Sequence, residues 1–336
     1  MKAFDWYNPT SIADAVKLLR ADAADPDETP RPLGGGQDLL TTMKERLTRP
    51  SRVVNLKSIK GLHYIKGDAA TGLKIGALAT LDELAEHSVV KRAFPGLAEA
   101  AEAIATPQIR NLGTVAGNLC QRPRCWYYRL EHVVCLKKGG SECYAATGEN
   151  KYHAIFGGGP SYIVHPSDLA PMLLALGASL AVNGPDGARV VPLEKFFTLP
   201  SDGRIRRENV LRDDEIITEI SVPPSAFAAR SVYLKFKERA SLDFALSSVA
   251  AALELDTAGR VRQARLVLGG VAPKPWRVPA AEAFLVGKKL DAGHLETVAA
   301  MALDGAQPLA HNAYKVPLTK TLVRRALLAA GKGFAI

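Results

Sequence analysis

The sequence predicts a mixed α+β protein, with α/β subdomains, in at least two domains, and three observations predict it. Helical and strand periodicities alternate along the whole chain. Its 336 residues exceed what one hydrophobic core usually serves. Apolar residues make up 47% and charged residues 23%, an ordinary globular mixture that sets aside disorder and fibrous repeats.

The elements follow in order. Ser11 precedes IADAVKLLRADA (12–23), where Ile12, Ala15, Val16 and Leu19 share one helical face. A polar loop from Asp25 to Pro32 leads into RPLGGGQDLLTTMKERL, a glycine turn and then a helix. RVVNL (52–56) and LKIGAL (73–78) have the composition of short buried strands. LDELAEHSVV (81–90) and PGLAEAAEAIA (95–105) are helical, and an irregular stretch starts at Thr106. SYIVHPSDLAPMLLALGASLAVNG (161–184) predicts strand, turn, helix and strand, with Ser167 or Asp168 as the helix cap and Pro171 in the first turn. ARVVPLEKFFTLP and EIITEISVPP continue the pattern up to Pro223-Pro224, which divides the chain into domains 1–222 and 223–336. Beyond it, SVYLKFKERASLDFALSSVAAALEL and ARLVLGGVAPKPW supply strands flanking helices, and PLTKTLVRRALLAA (317–330) is a final helix.

No run approaches the roughly 18 apolar residues of a membrane span. The opening MKAFDWYNPTSIADAV lacks the charged start, apolar core and cleavage site of a signal peptide, so no export signal is expected in this chain. Lys and Arg number 43 against 34 Asp and Glu, a net +9. The positive charge is scattered rather than drawn into a stripe with interleaved aromatics, which favours an acidic protein partner over nucleic acid.

Two glycine-bearing stretches are the first chemical signal. In Leu33-Gly34-Gly35-Gly36-Gln37-Asp38-Leu39 the glycines free the backbone to turn several N–H groups towards one point, which suits a phosphate. A plain tight turn has the same composition. Leu39 stands where a Rossmann fingerprint needs its last glycine, and no Walker lysine follows. About 75 residues on, Gln108-Ile109-Arg110-Asn111-Leu112-Gly113-Thr114-Val115-Ala116-Gly117-Asn118 offers small residues for close backbone approach and two hydrogen-bonding side chains. Together the two loops suit a dinucleotide gripped from two sides.

All four cysteines, Cys120, Cys125, Cys135 and Cys143, fall in one 24-residue window with spacing C-x4-C-x9-C-x7-C. Zinc sites usually show close pairs at both ends, and only the first gap comes near. Two disulfides are possible, though nothing else suggests a stapled fold at this length. A [4Fe–4S] cluster needs four converging thiolates, which loops of unequal length can supply. Arg122, Arg124, Arg129, Lys137 and Lys138 would offset its charge, and Trp126, Tyr127 and Tyr128 would shield it.

FDWYNPTSIADAVKLL, PLGGGQDLL, IRNLGTVAGNLCQ, HPSDLAPMLLALGA and LGGVAPKPWRV, in this order, resemble the FAD-binding subunits of the xanthine dehydrogenase family of molybdenum hydroxylases. The likeness runs from about residue 3 to residue 330. The cysteine window narrows it to members with an extra [4Fe–4S] cluster, notably the flavin subunits of periplasmic aldehyde oxidoreductases, with 4-hydroxybenzoyl-CoA reductase more distant. The resemblance implies a vanillyl-alcohol-oxidase-type FAD-binding domain, followed by a CO dehydrogenase flavoprotein-type C-terminal α+β domain. It further implies that Arg31, Pro32, Leu33, Gly34, Gly35, Gly36, Gln37, Asp38 and Leu39 wrap the pyrophosphate. Arg110, Asn111, Thr114, Gly117 and Asn118 would form the second loop, with His153 and Asp168 as further flavin contacts. Lys235 and Arg239, in KFKER, match a K-x3-R pattern near the flavin edge. The sequence departs mildly from the pattern at Gly36-Gln37, where Gly-Thr is commoner, and at Val115-Ala116.

By that resemblance the chain is an electron-transfer subunit with no catalytic acid or base for substrate chemistry. A large partner with molybdenum cofactor would oxidise an aldehyde or aromatic heterocycle. A small partner's [2Fe–2S] clusters would pass electrons to FAD here and on to an external acceptor. Two other classes remain open: a stand-alone FAD oxidoreductase of this fold, and a zinc-stabilised binding protein. The expected compartment is the cytoplasm, or the periplasm if a partner carries a twin-arginine signal. Trp276 is expected as a packing anchor, and Arg324 and Arg325 face solvent or a partner.

Overall fold

The computed structural model describes residues 1–20, 25–225, 227–240 and 242–332. Its strands form three sheets. The first is parallel, β1 (Asp5–Tyr7), β2 (Arg31–Leu33) and β3 (Arg52–Asn55), in the order β1-β3-β2. Helix α1 (Ile12–Leu19) buries Ala15, Val16 and Leu19 towards it, and Ser11 Oγ accepts from the Asp14 N–H as its cap. Arg20 turns extended after this helix. Residues 21–23, which the sequence pattern adds to it, lie outside the described residues. Helix α2 (Leu39–Lys44) follows the glycine turn.

The second sheet is antiparallel, with β4 (Ile65–Asp68), β5 (Gly72–Gly76), β6 (Ser179–Gly184), β7 (Gly187–Pro192) and β8 (Ile216–Val222) in the order β4-β5-β8-β6-β7. Its core is shared with α3 (Leu81–Glu86), α4 (Ser88–Ala93), α5 (Pro95–Glu102) and α7 (Val115–Leu119), while α6 (Pro107–Leu112) packs on α3 with no residue fully buried. The stretch 81–90 is two helices rather than one. Thr80 and Glu83 form a capping box on α3, and an extended His87 ends it. The cysteine segment contributes the short α8 (Trp126–Arg129) and one 3₁₀ turn, Leu136–Lys138. Helix α9 (Leu169–Ala175) is buried along its whole length, an all-round apolar helix of the kind that lies inside a core. The preceding Ser161–Val164 stretch, expected as a strand, enters no ladder; its Tyr162 carbonyl accepts one bond from Ala154 and the chain then runs on to His165, bonded to Ala272.

The third sheet is antiparallel: β9 (Ser231–Phe236), β10 (Ser247–Leu255), β11 (Val261–Gly269) and β12 (Trp276–Arg277), ordered β12-β11-β10-β9. Helix α10 (Pro279–Leu285) packs on β11, and α11 (Ala292–Ala302) lies between it and α12 (Lys315–Lys332), which packs on β10 and β9. Helices α5 and α9 of the other half touch the same sheet. Covered on both faces, β10 is almost continuously apolar, as SSVAAALEL requires. Trp276 stacks on Phe156 at 5.0 Å, the expected packing anchor, and Arg324 pairs with Glu296. No helix among the described residues is long and apolar enough to cross a membrane.

Candidate functional site

Strand β2 ends at Leu33, whose side chain is buried with Met43 and Val53. The chain then turns through Gly34, Gly35 and Gly36, the last at φ +76°, where a side chain would be strained. A Cβ on Gly35 would stand 2.1 Å from the Leu112 carbonyl oxygen, and one on Gly34 would stand 2.9 Å from Thr114 Oγ1. The two glycine-bearing stretches are therefore pressed together, 75 residues apart in sequence, and glycine is what permits it. The backbone N–H groups of Gly35, Gly36 and Gln37 donate to no acceptor among the described residues. They border a groove of ≈ 630 Å³.

One end of the groove is basic. Arg31 donates to Asp213 Oδ1 at 2.7 Å, and Arg207 pairs with the same carboxylate. Burial, Arg207 and Arg122 together hold the Arg31 guanidinium below its ordinary pKa. At the other end, the Asp168 carboxylate accepts from Tyr233 at 2.6 Å and from Lys235 Nζ at 2.8 Å. Burial and Asp168 raise the Tyr233 phenol well above its usual value. Asp168 does not cap α9. Ser167 does, accepting from the Ala170 N–H while donating to Asn118 Oδ1 at 2.5 Å. This capping bond joins the second glycine stretch to α9.

Most expected site residues meet in this groove. Arg31, Pro32, Gly34, Gly35, Gly36, Gln37, Asp38, Leu39, Thr114, Gly117, Asn118, Asp168, Lys235 and Cys120 all line it. Leu33 does not, because it alternates into the core. Arg110 turns away to Asp82 and to the carbonyls of Glu102 and Ile104. Asn111 bonds the Pro107 carbonyl on its own helix. His153 lines a neighbouring cavity of ≈ 320 Å³, with Nε2 at 3.2 Å from Cys125 Sγ. Arg239 also borders that cavity and is held by Asp243. Arg122, Arg207, Glu208, Asp213 and Phe244 line the groove without having been expected there. A charged run, RIRRENVLRDDE, holds three of these five, Arg207, Glu208 and Asp213, but a charged run is more often a solvated face.

The cysteine segment is fastened to the groove by two acids. Asp38 leaves its helix uncapped and accepts instead from the Arg122 N–H (2.7 Å), Arg124 (2.5 Å) and Arg129 (2.9 Å). Burial opposes its charge, but Arg124 and Arg129 outweigh that and hold its carboxyl below the usual range. Glu208 forms ion pairs with Arg122 and Lys137, and against burial these likewise hold its carboxyl below the usual range.

The four thiols are free but do not converge on one point. Cys125 feels Cys135 and Cys143, whereas Cys120 lies at the groove beside Glu208. Burial pushes Cys120 up to about 12 and Cys125 up to about 11. Among the described residues, no three His, Cys, Asp or Glu side chains stand together as a ready metal site. The expected four-cysteine centre has no assembled geometry among the described residues.

The groove does fit a flavin dinucleotide: unpaired N–H groups for a diphosphate, glycine at both close approaches, and a lining that includes both Arg31 and Lys235. Residues 2–225 match the FAD-binding domain of molybdopterin dehydrogenases, and residues 232–330 match the CO dehydrogenase flavoprotein C-terminal domain. The chain is 36% identical to the aldehyde oxidoreductase FAD-binding subunit of Escherichia coli K12, over 95% of this chain and 96% of that one. It is 28% identical to the carbon monoxide dehydrogenase medium chain of Hydrogenophaga pseudoflava, covering 97% and 96%. Reconstituted CO dehydrogenase from Oligotropha carboxidovorans superposes with a TM-score of 0.75 at 28% identity, covering 98% of each chain. These matches span both domains, and the chain belongs to the FAD-binding medium subunits of the xanthine dehydrogenase family, as an oxidoreductase subunit.

Proposed function

We propose that the chain is the electron-transfer subunit of a heterotrimeric molybdenum hydroxylase that oxidises aldehydes. The observation that carries this reading is the groove itself, with two glycine stretches in contact at one side and the Asp168–Lys235 pair at its end. FAD, when bound, supplies the exchange between single electrons from iron–sulfur clusters and the two-electron reduction of an acceptor. The chain's residues bind and orient: Gly35, Gly36 and Gln37 offer N–H groups, Thr114 a hydroxyl, and Lys235 a fixed positive charge. The large molybdenum and small [2Fe–2S] partners of related enzymes are the partners proposed here. The 36% identity to an aldehyde oxidoreductase subunit favours aldehydes over aromatic heterocycles.

The same proposal assigns Cys120, Cys125, Cys135 and Cys143 as ligands of a [4Fe–4S] cluster. Four free thiols in one segment support it, as do the cations around them. Cys120 would have to close on the other three. The compartment is proposed as cytoplasm, or periplasm where a partner is exported folded.

Purification with all co-expressed partners tests each part. Flavin absorbance, molybdenum and aldehyde-dependent reduction are expected. Colourless protein sinks the flavin reading. Zinc in place of iron and labile sulfide, with no paramagnetic signal after dithionite, sinks the cluster.

A further inference from the structure

The Glu208 side chain is 4% exposed and forms part of the groove wall. Two cations share it: the half-buried Arg122, with Nε at 2.8 Å, and the buried Lys137, with Nζ at 2.5 Å on a side chain only 2% exposed. Both come from the cysteine segment, 15 residues apart, so one carboxylate grips that segment at two places. Lys137 also donates to the Ile205 carbonyl, and Arg122 Nη2 to the Arg206 carbonyl. The Arg122 backbone N–H is held by Asp38 of the glycine turn. Arg122 thus stands where three pieces of the groove meet: glycine turn, cysteine segment and the 204–209 wall.

Arg31 and Arg122 repel one another in the same wall. Burial also opposes the Arg122 charge, but the anions around it, Glu208 the largest, outweigh that and hold the guanidinium above its ordinary pKa. Losing that carboxylate leaves a partly desolvated cation short of its counterion, which is unfavourable.

We propose that Glu208 is a positioning residue for the flavin groove, holding Arg122 as part of its wall and locking the cysteine segment against it through Lys137. This rests on the groove being the FAD site and assigns a role to a residue that makes no claim on the cofactor itself.

The test is FAD titration, by fluorescence quenching, of the full chain stripped of flavin. Glu208→Gln weakens FAD binding about tenfold, as expected when a buried charge pair loses one partner. In an Arg122→Gln background the same change has at most about a threefold effect, the part carried through Lys137, since the rest acts through Arg122. Glu282→Gln, which disturbs the remote buried pair with Arg277, lowers the melting temperature and leaves FAD affinity unchanged. If Glu208→Gln does not fold, Lys137→Met is read in its place, with an expected loss of about threefold. Unchanged affinity in the folded variant, or an undiminished effect of Glu208→Gln without Arg122, overturns the proposal. Wild-type chain that takes up no FAD overturns the flavin reading instead.

Discussion

Lys235 Nζ lies 2.8 Å from Asp168 Oδ2, with both side chains about one-twentieth exposed, and this pair ties the C-terminal sheet to the start of α9. Lys235 also donates to the Ala103 carbonyl, at the end of α5. One ammonium group therefore holds together the two halves of the chain at the end of the groove. Groove and domain interface are the same piece of structure.

Asp168→Asn leaves the Lys235 charge buried without its counterion. Breaking such a pair costs about 3–5 kcal/mol, whereas replacing both members by apolar residues is close to neutral. The urea midpoint of Asp168→Asn falls sharply, and Asp168→Leu with Lys235→Met recovers most of it. Equal midpoints for the single and double variants would show that the pair is not what joins the domains. Flavin content falls in both, because the single variant no longer fixes Lys235 in place and the double variant removes its charge.

Gly35→Ala places a Cβ 2.1 Å from a backbone oxygen that cannot swing aside. The two glycine stretches must separate, and the flavin-to-protein ratio is expected to fall at least about tenfold. Gly61→Ala is the contrast. It has nothing within 4 Å but a φ of +86°, so it costs about 1 kcal/mol of backbone strain and keeps its flavin. Absorbance ratios of the two purified variants decide between them.

The local parts of this site were legible in the sequence. A glycine turn before a helix and a serine capping α9 depend on neighbours within three or four residues. Periodicity also found β3 and β5, because short buried strands carry their apolar run with them. Long-range partners were not legible. Asp38 reads as part of the pyrophosphate loop until Arg124 and Arg129 arrive from 86 and 91 residues away. Arg110 looks like an anion ligand because the arginine sits in a glycine-rich loop, yet α6 aims it at three acceptors around Asp82. The cysteine spacing states how much chain lies between thiols, but not how a loop held by Asp38 and Glu208 turns.

Lys315 is fully buried, donating to the carbonyls of Tyr152 and Gly270, and burial pushes its amine down to about 7 from 10.5. Between those values the unfolded chain binds a proton that the folded chain does not. Stability therefore carries a component that rises with pH from about 7 towards 10.5, while below 7 the full penalty of the buried charge remains. Urea midpoints measured from pH 6.5 to 9.5 should climb in the wild type relative to Lys315→Met. A parallel pair of profiles would remove Lys315 as their source.

Single serine substitutions at the four cysteines divide the segment into its parts. If one cluster takes all four thiolates, each variant loses most of its iron and labile sulfide, because serine is a poor ligand for a cluster built on thiolate. Flavin should survive in Cys143→Ser, whose side chain does not line the groove, and weaken in Cys120→Ser, whose side chain does. Cys120 is the discriminating position, since it alone of the four lines the groove. Iron retained in full by Cys120→Ser, together with loss in the other three, would leave a three-cysteine ligand set and make Cys120 a groove residue only.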